Sequence, residues 1–273
     1  SVKTYCPSAQ RLFYTVDLHF LRESREAELL NDDTKRKTAL ETEKAEIGLM
    51  HQVNTTILLS DVEKKMLEER GVPNLAVLPL IQEQIAASDV AFNQRAGALF
   101  IGGYQHTPNI DAVDWLASEI WPRIREICSE RGIPPIVLNV YGSKMPERFQ
   151  DYAAADFKVH GFAENLSAIF DGVRLSVAPL RFGAGLKGKL ATSFGYGVPV
   201  VGTDVAYEGV EDPDFASVNL TASDIDGIAK AIIITHEDSE RWEKLRAASY
   251  RFGTKNYSFD AIGLRLKTVL GDT

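Results

Sequence analysis

The stretch "SVAPLRFGAGLKGKLATSFGYGVPVVGTD", residues 176–204, decides the fold. A run of apolar residues to Leu180 reads as a strand, and Gly183-Ala184-Gly185-Leu186-Lys187-Gly188 reads as a loop. A helix-favouring segment follows, and "VPVVGT" (198–203) is a second strand that ends before Asp204. The loop spells G-x-G-x-x-G, the dinucleotide fingerprint, with Asp204 near the place of an acidic ribose ligand.

Working outward, the same rhythm repeats. Upstream, "GALFIGG" (97–103), "PIVLNVYG" (135–142), "DFKVHGF" (156–162) and "VRLSVAPL" (173–180) read as strands, and "SVNLT" (217–221) as the last one. Between and after them lie helical segments from about Asn109, at 146–154, 164–171, 223–236, 238–252 and 258–270. Val113, Leu116, Ile120, Ile124 and Ile127 share one helical face, with a kink expected at Pro122 and with Trp115 and Trp121 read as packing residues. Nearer the start, "RLFYTVDLHF" (11–20), "TTILLS" (55–60) and "NLAVLPL" (74–80) read as strands around a charged, helix-favouring stretch at 22–53 that breaks near Asn31-Asp32-Asp33. Ser60-Asp-Val-Glu63 is a capping box, and its helix ends at Gly71. Strands alternating with helices, several of them continuously apolar, specify a doubly wound α/β fold with a parallel sheet. The expected domains are a partial α/β domain at 1–82, a linker at 83–96, a complete Rossmann-like domain at 97–256 and a C-terminal helix at 257–273.

Three features turn the glycine loop away from a dinucleotide. It follows the fourth strand of its domain rather than the first. Arg181 and Phe182 separate strand from glycines, so the turn is loose. Lys187 and Lys189 begin the helix, whose N-terminus already offers unpaired N–H groups and a partial positive charge. Arg181, Gly183, Gly185, Lys187 and Lys189 together suit a diphosphate, against the plainer reading of a solvated basic turn.

Composition sets the limits. The 273 residues are 45% hydrophobic and 25% charged, with a net charge of -8, which argues against general nucleic-acid affinity. Cys6 and Cys128 read as two reduced core thiols in a cytosolic protein. No apolar run reaches membrane-spanning length, and no His/Cys/Asp set has metal-ligand spacing. The chain starts at Ser1, as a cut or processed chain would.

The segments "GALFIGGYQHTPNIDAVDWLASEIWPRI", "VYGS" and "VHGFAENLSAIFDGVRLSVAPLRFGAGLKGKLATSFGYGVPVVGTDVAYEGV" resemble the C-terminal domain of GT-B glycosyltransferases, specifically glycosyltransferase family 4, over residues 97–250. The upstream "YTVDLHFLRESREAEL" and "TTILLSDVEKKMLEERGVPNLAVLPL" resemble the end of that family's acceptor domain, so the start of that domain is expected to be missing. The resemblance implies transfer of a sugar from a nucleotide-diphosphate donor to a glycan or lipid-linked acceptor, as in polysaccharide biosynthesis, with retention and without a metal or other cofactor. The expected location is the cytoplasm. Peripheral membrane association is compatible with lipid-linked acceptors, although residues 22–46 mix charge signs. Two glutamates eight residues apart usually mark the family; aligned on "GVPVV", their places are taken by Ala184 and Thr192. Thr192 offers a ribose at most one hydroxyl.

Further nucleoside or sugar contacts are expected at Gly103, Gly142, Gly161, Phe162 and Glu208, with Gly102 and Ser143 beside them and Asn109 as a helix cap; each is also compatible with an ordinary loop role. His160 reads as structural. Asp17 and His19 are the catalytic candidates on the acceptor side. A degenerate, non-catalytic nucleotide-sugar-binding module and an NAD-dependent oxidoreductase remain as alternatives.

Overall fold

Two parallel sheets organise the computed structural model, which describes residues 2–82, 88–210, 215 and 221–271. Contacts divide the chain into a first unit, Ser1–Leu80 with Phe182–Leu186 and Ile262–Thr273, and a second unit, Ile81–Arg181 with Lys187–Ala261.

In the first unit a short helix α1 (Val2–Tyr5) precedes β1 (Leu12–Tyr14). The strand expected over 11–20 stops early because Val16 adopts a left-handed φ of 52°, and His19 then opens α2 (His19–Leu30). Asn31, also left-handed, ends that helix, and Asp32 caps α3 (Asp33–Met50) by accepting from the N–H groups of Thr34 and Lys35. Then come β2 (Thr55–Leu58), α4 (Asp61–Glu69) and β3 (Leu75–Val77). The three strands pair in the order β1-β2-β3, with Leu12 opposite Thr55 and Thr56 opposite Leu75. At the head of α4, Ser60 accepts from the Glu63 N–H at 3.2 Å, while the Glu63 carboxylate accepts from the Leu59 N–H and the Ser60 hydroxyl. Leu18, Phe20, Met50, Leu58, Leu67, Val72 and Ala184 form one apolar cluster. Cys6 is exposed and is therefore not a core thiol; Cys128, in the second unit, is buried.

The second unit contains β4 (Ala98–Ile101), α5 (Thr107–Trp115) and α6 (Trp121–Arg131). Between these helices a π-helical turn runs over Leu116–Ile120. Pro122 has no N–H, and its ring crowds the carbonyl four residues back, so the expected kink is resolved as an extra residue in the preceding turn. The apolar stripe from Val113 to Ile127 is buried throughout. Next come β5 (Leu138–Tyr141), β6 (Phe157–Gly161), α7 (Leu166–Gly172), β7 (Leu175–Ala178), α8 (Gly188–Gly195), β8 (Val200–Gly202) and α9 (Asp204–Tyr207). The unit's helices end with α10 (Ile225–Glu237) and α11 (Ser239–Tyr257). The helix α12 (Phe259–Leu270) follows; from Ile262 on it belongs to the first unit, where Ile262 packs with Ile57 and Leu78. The segment 146–154 is a 3-10 turn, Glu147–Tyr152, rather than an α-helix. Residues 217–220 of the expected last strand lie outside the described residues; Thr221, at its end, bridges Gly202 in parallel.

The strand order β6-β5-β4-β7-β8 is parallel throughout. Chain connections leave β4 toward β5 on one side, while β7 and β8 lie on the other. The topological switch point therefore falls between β4 and β7, and its crevice lies beyond their carboxyl ends.

Candidate functional site

Within the second unit, the carboxyl ends of β4, β5 and β6 are stitched into one rim. Tyr104 N donates to Ser143 O at 3.0 Å, and Gly142 N donates to Gly161 O at 2.7 Å. Three glycines on this rim differ in what holds them. Gly102 faces the Asn109 amide, whose carbon would lie 2.8 Å from an added Cβ. Gly161 has space around it but a φ of 89°. Gly103 has neither a left-handed φ nor a clash, since the nearest atom to an added Cβ would be Ser143 Oγ at 3.6 Å. The fold itself therefore does not demand a glycine at 103. Phe162, next along the rim, is 71% exposed, and His160 stacks on Tyr141 with ring centroids 4.4 Å apart while meeting Asn139 Oδ1 at 2.9 Å.

Asn109 is not the cap of α5. His106 occupies the N-cap position and Asn109 lies inside the helix, where its Nδ2 donates to Gly103 O at 2.8 Å and its Oδ1 accepts from Lys189 Nζ. Lys189 Nζ also lies 4.9 Å from the Phe100 ring centroid. Desolvation, reinforced by the charge of Lys187, lowers the Lys189 amine to about 7. The Arg181 guanidinium makes a forked contact with Asp111, its Nε donating to Oδ2 at 2.9 Å, and lies over the Trp115 ring at 5.3 Å. That pairing raises the Arg181 pKa and fixes the plane of its fork. Lys187 lies 3.8 Å from Glu208, an ion pair. Thr192 Oγ1 donates to Gln82 Oε1 at 3.2 Å. Asp204 is the first residue of α9, behind the Thr203 cap.

Of the residues singled out in the sequence, the second unit thus gathers Arg181, Lys187 and Lys189 with the rim of Gly103, Gly142, Gly161 and Phe162. Sequence reasoning did not pair Asp111 with Arg181 or Asn109 with Lys189; these partners are 70 and 80 residues apart, and no local spacing signals them.

The remaining candidates belong to the first unit. Gly183 O accepts from Arg25 Nη1 at 2.6 Å, and Gly185 has a φ of 64° and faces the Glu63 carboxylate. Ala184 is 8% exposed among Leu18, Phe20, Leu58 and Leu67, an environment in which a carboxylate would be buried in apolar surroundings. Asp17 pairs with Arg22. His19 Nδ1 meets Glu46 Oε1 at 2.8 Å, and the same carboxylate accepts from the N–H groups of His19 and Phe20, closing the head of α2. Among the described residues no group of three His, Cys, Asp or Glu side chains is arranged to hold a metal ion, and no helix is long and apolar enough to cross a membrane.

The profile of the glycosyl transferases group 1 family matches residues 95–238, just over half the chain. The chain belongs to this family. In three dimensions it is similar to solved glycosyltransferases of low sequence identity. TarM of S. aureus, crystallised as a point mutant with Fondaparinux, alpha-GlcNAc-glycerol and UDP, superposes with a TM-score of 0.67 at 14% identity over 84% of this chain. HepE of Anabaena, in complex with UDP-glucose, has a TM-score of 0.69 at 12% identity and covers 100% of this chain. Sucrose-phosphate synthase from Thermosynechococcus elongatus has a TM-score of 0.69 at 16% identity over 95%. The chain spans 46%, 75% and 67% of these proteins respectively, so it is partial relative to them. No curated protein matches in sequence. As a group 1 glycosyl transferase the chain carries a GT-B-type α/β fold with parallel sheets, as its sequence resemblance implied.

Proposed function

We propose that this group 1 glycosyl transferase moves a sugar from a nucleotide-diphosphate donor to a glycan or lipid-linked acceptor, with retention and without a metal or other cofactor. The observation that carries the reading is the convergence of Arg181, Lys187 and Lys189 at the carboxyl end of β7 and the first turn of α8, beside the switch point. When the bond between the anomeric carbon and the donor's terminal phosphate oxygen breaks, negative charge grows on the diphosphate. Fixed cations and the N–H groups at a helix start stabilise that charge without reorganising. The acceptor hydroxyl forms the new bond to the same carbon, and its proton passes to the departing diphosphate. Gly103, Gly142, Gly161 and the exposed Phe162 are the proposed contacts of the nucleoside and sugar. On the acceptor side the catalytic candidates are Asp17 and His19, the latter 52% exposed and oriented by Glu46. HepE binds UDP-glucose and TarM binds UDP, so a uridine diphosphate sugar is the first donor to test. Calorimetric titration of UDP-glucose into the wild type and into Lys187→Ala tests the assignment; a large loss is expected in the variant, and equal affinity removes the site.

The second reading, a nucleotide-sugar-binding module without catalysis, is favoured by Ala184 and Thr192: one is a core residue and the other is bonded to Gln82. Product formation over a panel of donors and acceptors separates the two.

A further inference from the structure

Lys189 is held by uncharged partners. Its Nζ is held by the Oδ1 of Asn109 and lies over the ring of Phe100, neither of which bears charge. The amide cannot turn round, because its Nδ2 donates to Gly103 O at 2.8 Å and Gly102 packs against its face. The charge that acts on it is another cation, Lys187, and the Glu208 carboxylate faces Lys187. On its other sides α8 meets Ser176 of β7 through Ser193 and Phe252 of α11 through Phe194, again without charge. Among the described residues no carboxylate is paired with Lys189.

We propose that Asn109 is a positioning residue that keeps Lys189 as a charge in reserve, so that a diphosphate arriving at the first turn of α8 is bound together with a proton taken from solvent. The inference rests on the donor reading above and adds a coupling to it. Burial and Lys187 lower the free amine to about 7, so near neutral pH a substantial fraction is –NH2, which still donates an N–H to Asn109. An anion next to it favours –NH3+, and the two equilibria reinforce each other. The balance is one N–H bond made and one proton lost by the buffer.

UDP-glucose is a suitable probe because its diphosphate, esterified at both ends, carries a constant charge across this pH range. Titrations at pH 7 in buffers of different ionisation enthalpy are expected to show uptake of up to roughly half a proton per nucleotide by the wild type. Lys189→Met should lose this uptake. Asn109→Asp should lose it too, because its carboxylate would keep the lysine charged beforehand. Equal uptake in wild type and Lys189→Met overturns the inference. A second readout needs no variant: the wild-type Kd for UDP-glucose should weaken by roughly fivefold or more between pH 6.5 and pH 8.5, and a flat profile overturns the coupling while leaving the donor site intact. Absence of any binding by folded wild type removes the donor reading and this inference with it.

Discussion

Gly142 lies so close to the carbonyl oxygen of Gly102 that a Cβ at position 142 would overlap it. The loops leaving β5 and β4 therefore touch backbone to backbone. Gly142→Ala is expected to lower stability by about 1–3 kcal/mol through overpacking, read as a fall in the urea midpoint at unchanged slope. Gly103→Ala is the contrasting variant. Its nearest neighbour would be 3.6 Å away, so stability should hold within about 0.5 kcal/mol. If the donor passes over Gly103 as proposed, UDP-glucose affinity should nonetheless drop, and unchanged affinity would move the donor elsewhere.

The two positions that lack glutamate should respond differently to receiving one. Ala184→Glu places a carboxylate among Leu18, Phe20, Leu58 and Leu67 and should cost at least about 3 kcal/mol. Thr192 is half-buried beside Gln82, and Thr192→Glu should leave the protein folded with a change under about 1.5 kcal/mol. Chemical denaturation of both variants checks the difference; comparable losses would mean that burial does not explain the absence of a carboxylate at 184.

Arg95 is 1% exposed and its guanidinium donates to Val90 O at 3.0 Å, Phe170 O at 2.7 Å and Ser88 Oγ at 2.9 Å, over the Trp242 ring. Arg95→Met keeps volume but leaves the two carbonyls and the Ser88 hydroxyl without their donor, and should destabilise by roughly 3 kcal/mol or more. Circular dichroism melts at matched concentration would show it.

His236 predicts a pH dependence. Gly97 N donates to its Nε2 at 2.9 Å, so the ring proton sits on Nδ1, facing Glu237 Oε1 at 2.6 Å, with the Arg174 guanidinium nearby. Burial, the largest cause, and the Arg174 charge lower its pKa despite Glu237. The neutral form is the folded form, so this stability is complete above the unfolded histidine pKa of about 6.5. It is lost as pH falls below that value, because the unfolded chain then binds the proton first. His160, lowered by burial and Lys158, acts in the same direction. Unfolding free energies at pH 7.5 and 5.5 should differ less in His236→Gln than in wild type; equal differences would remove the assignment.

Much of the architecture was legible because period and punctuation agreed. The buried stripe from Val113 to Ile127, the break at Asn31 and the capping box at Ser60 each follow from local rules that the fold obeys. The errors are local as well. Val16 in the left-handed region cuts an otherwise uniform strand pattern, and a proline-induced kink in sequence becomes a π-helical turn in space. Candidate cations at the glycine loop could be named from residue type alone. Their partners could not, because Asp111, Asn109 and Glu208 reach them through the sheet topology and not through spacing.

The place of Ala184 among Leu18, Phe20, Met50, Leu58, Leu67 and Val72 carries an evolutionary consequence. An apolar cluster sealed by a methyl group does not take up an acid there without cost. The surrounding large side chains would have to shrink or turn polar first. Position 184 should therefore vary in concert with 18, 20, 58 and 67 among related chains, and those that carry an acid at 184 should carry smaller or polar replacements in the cluster.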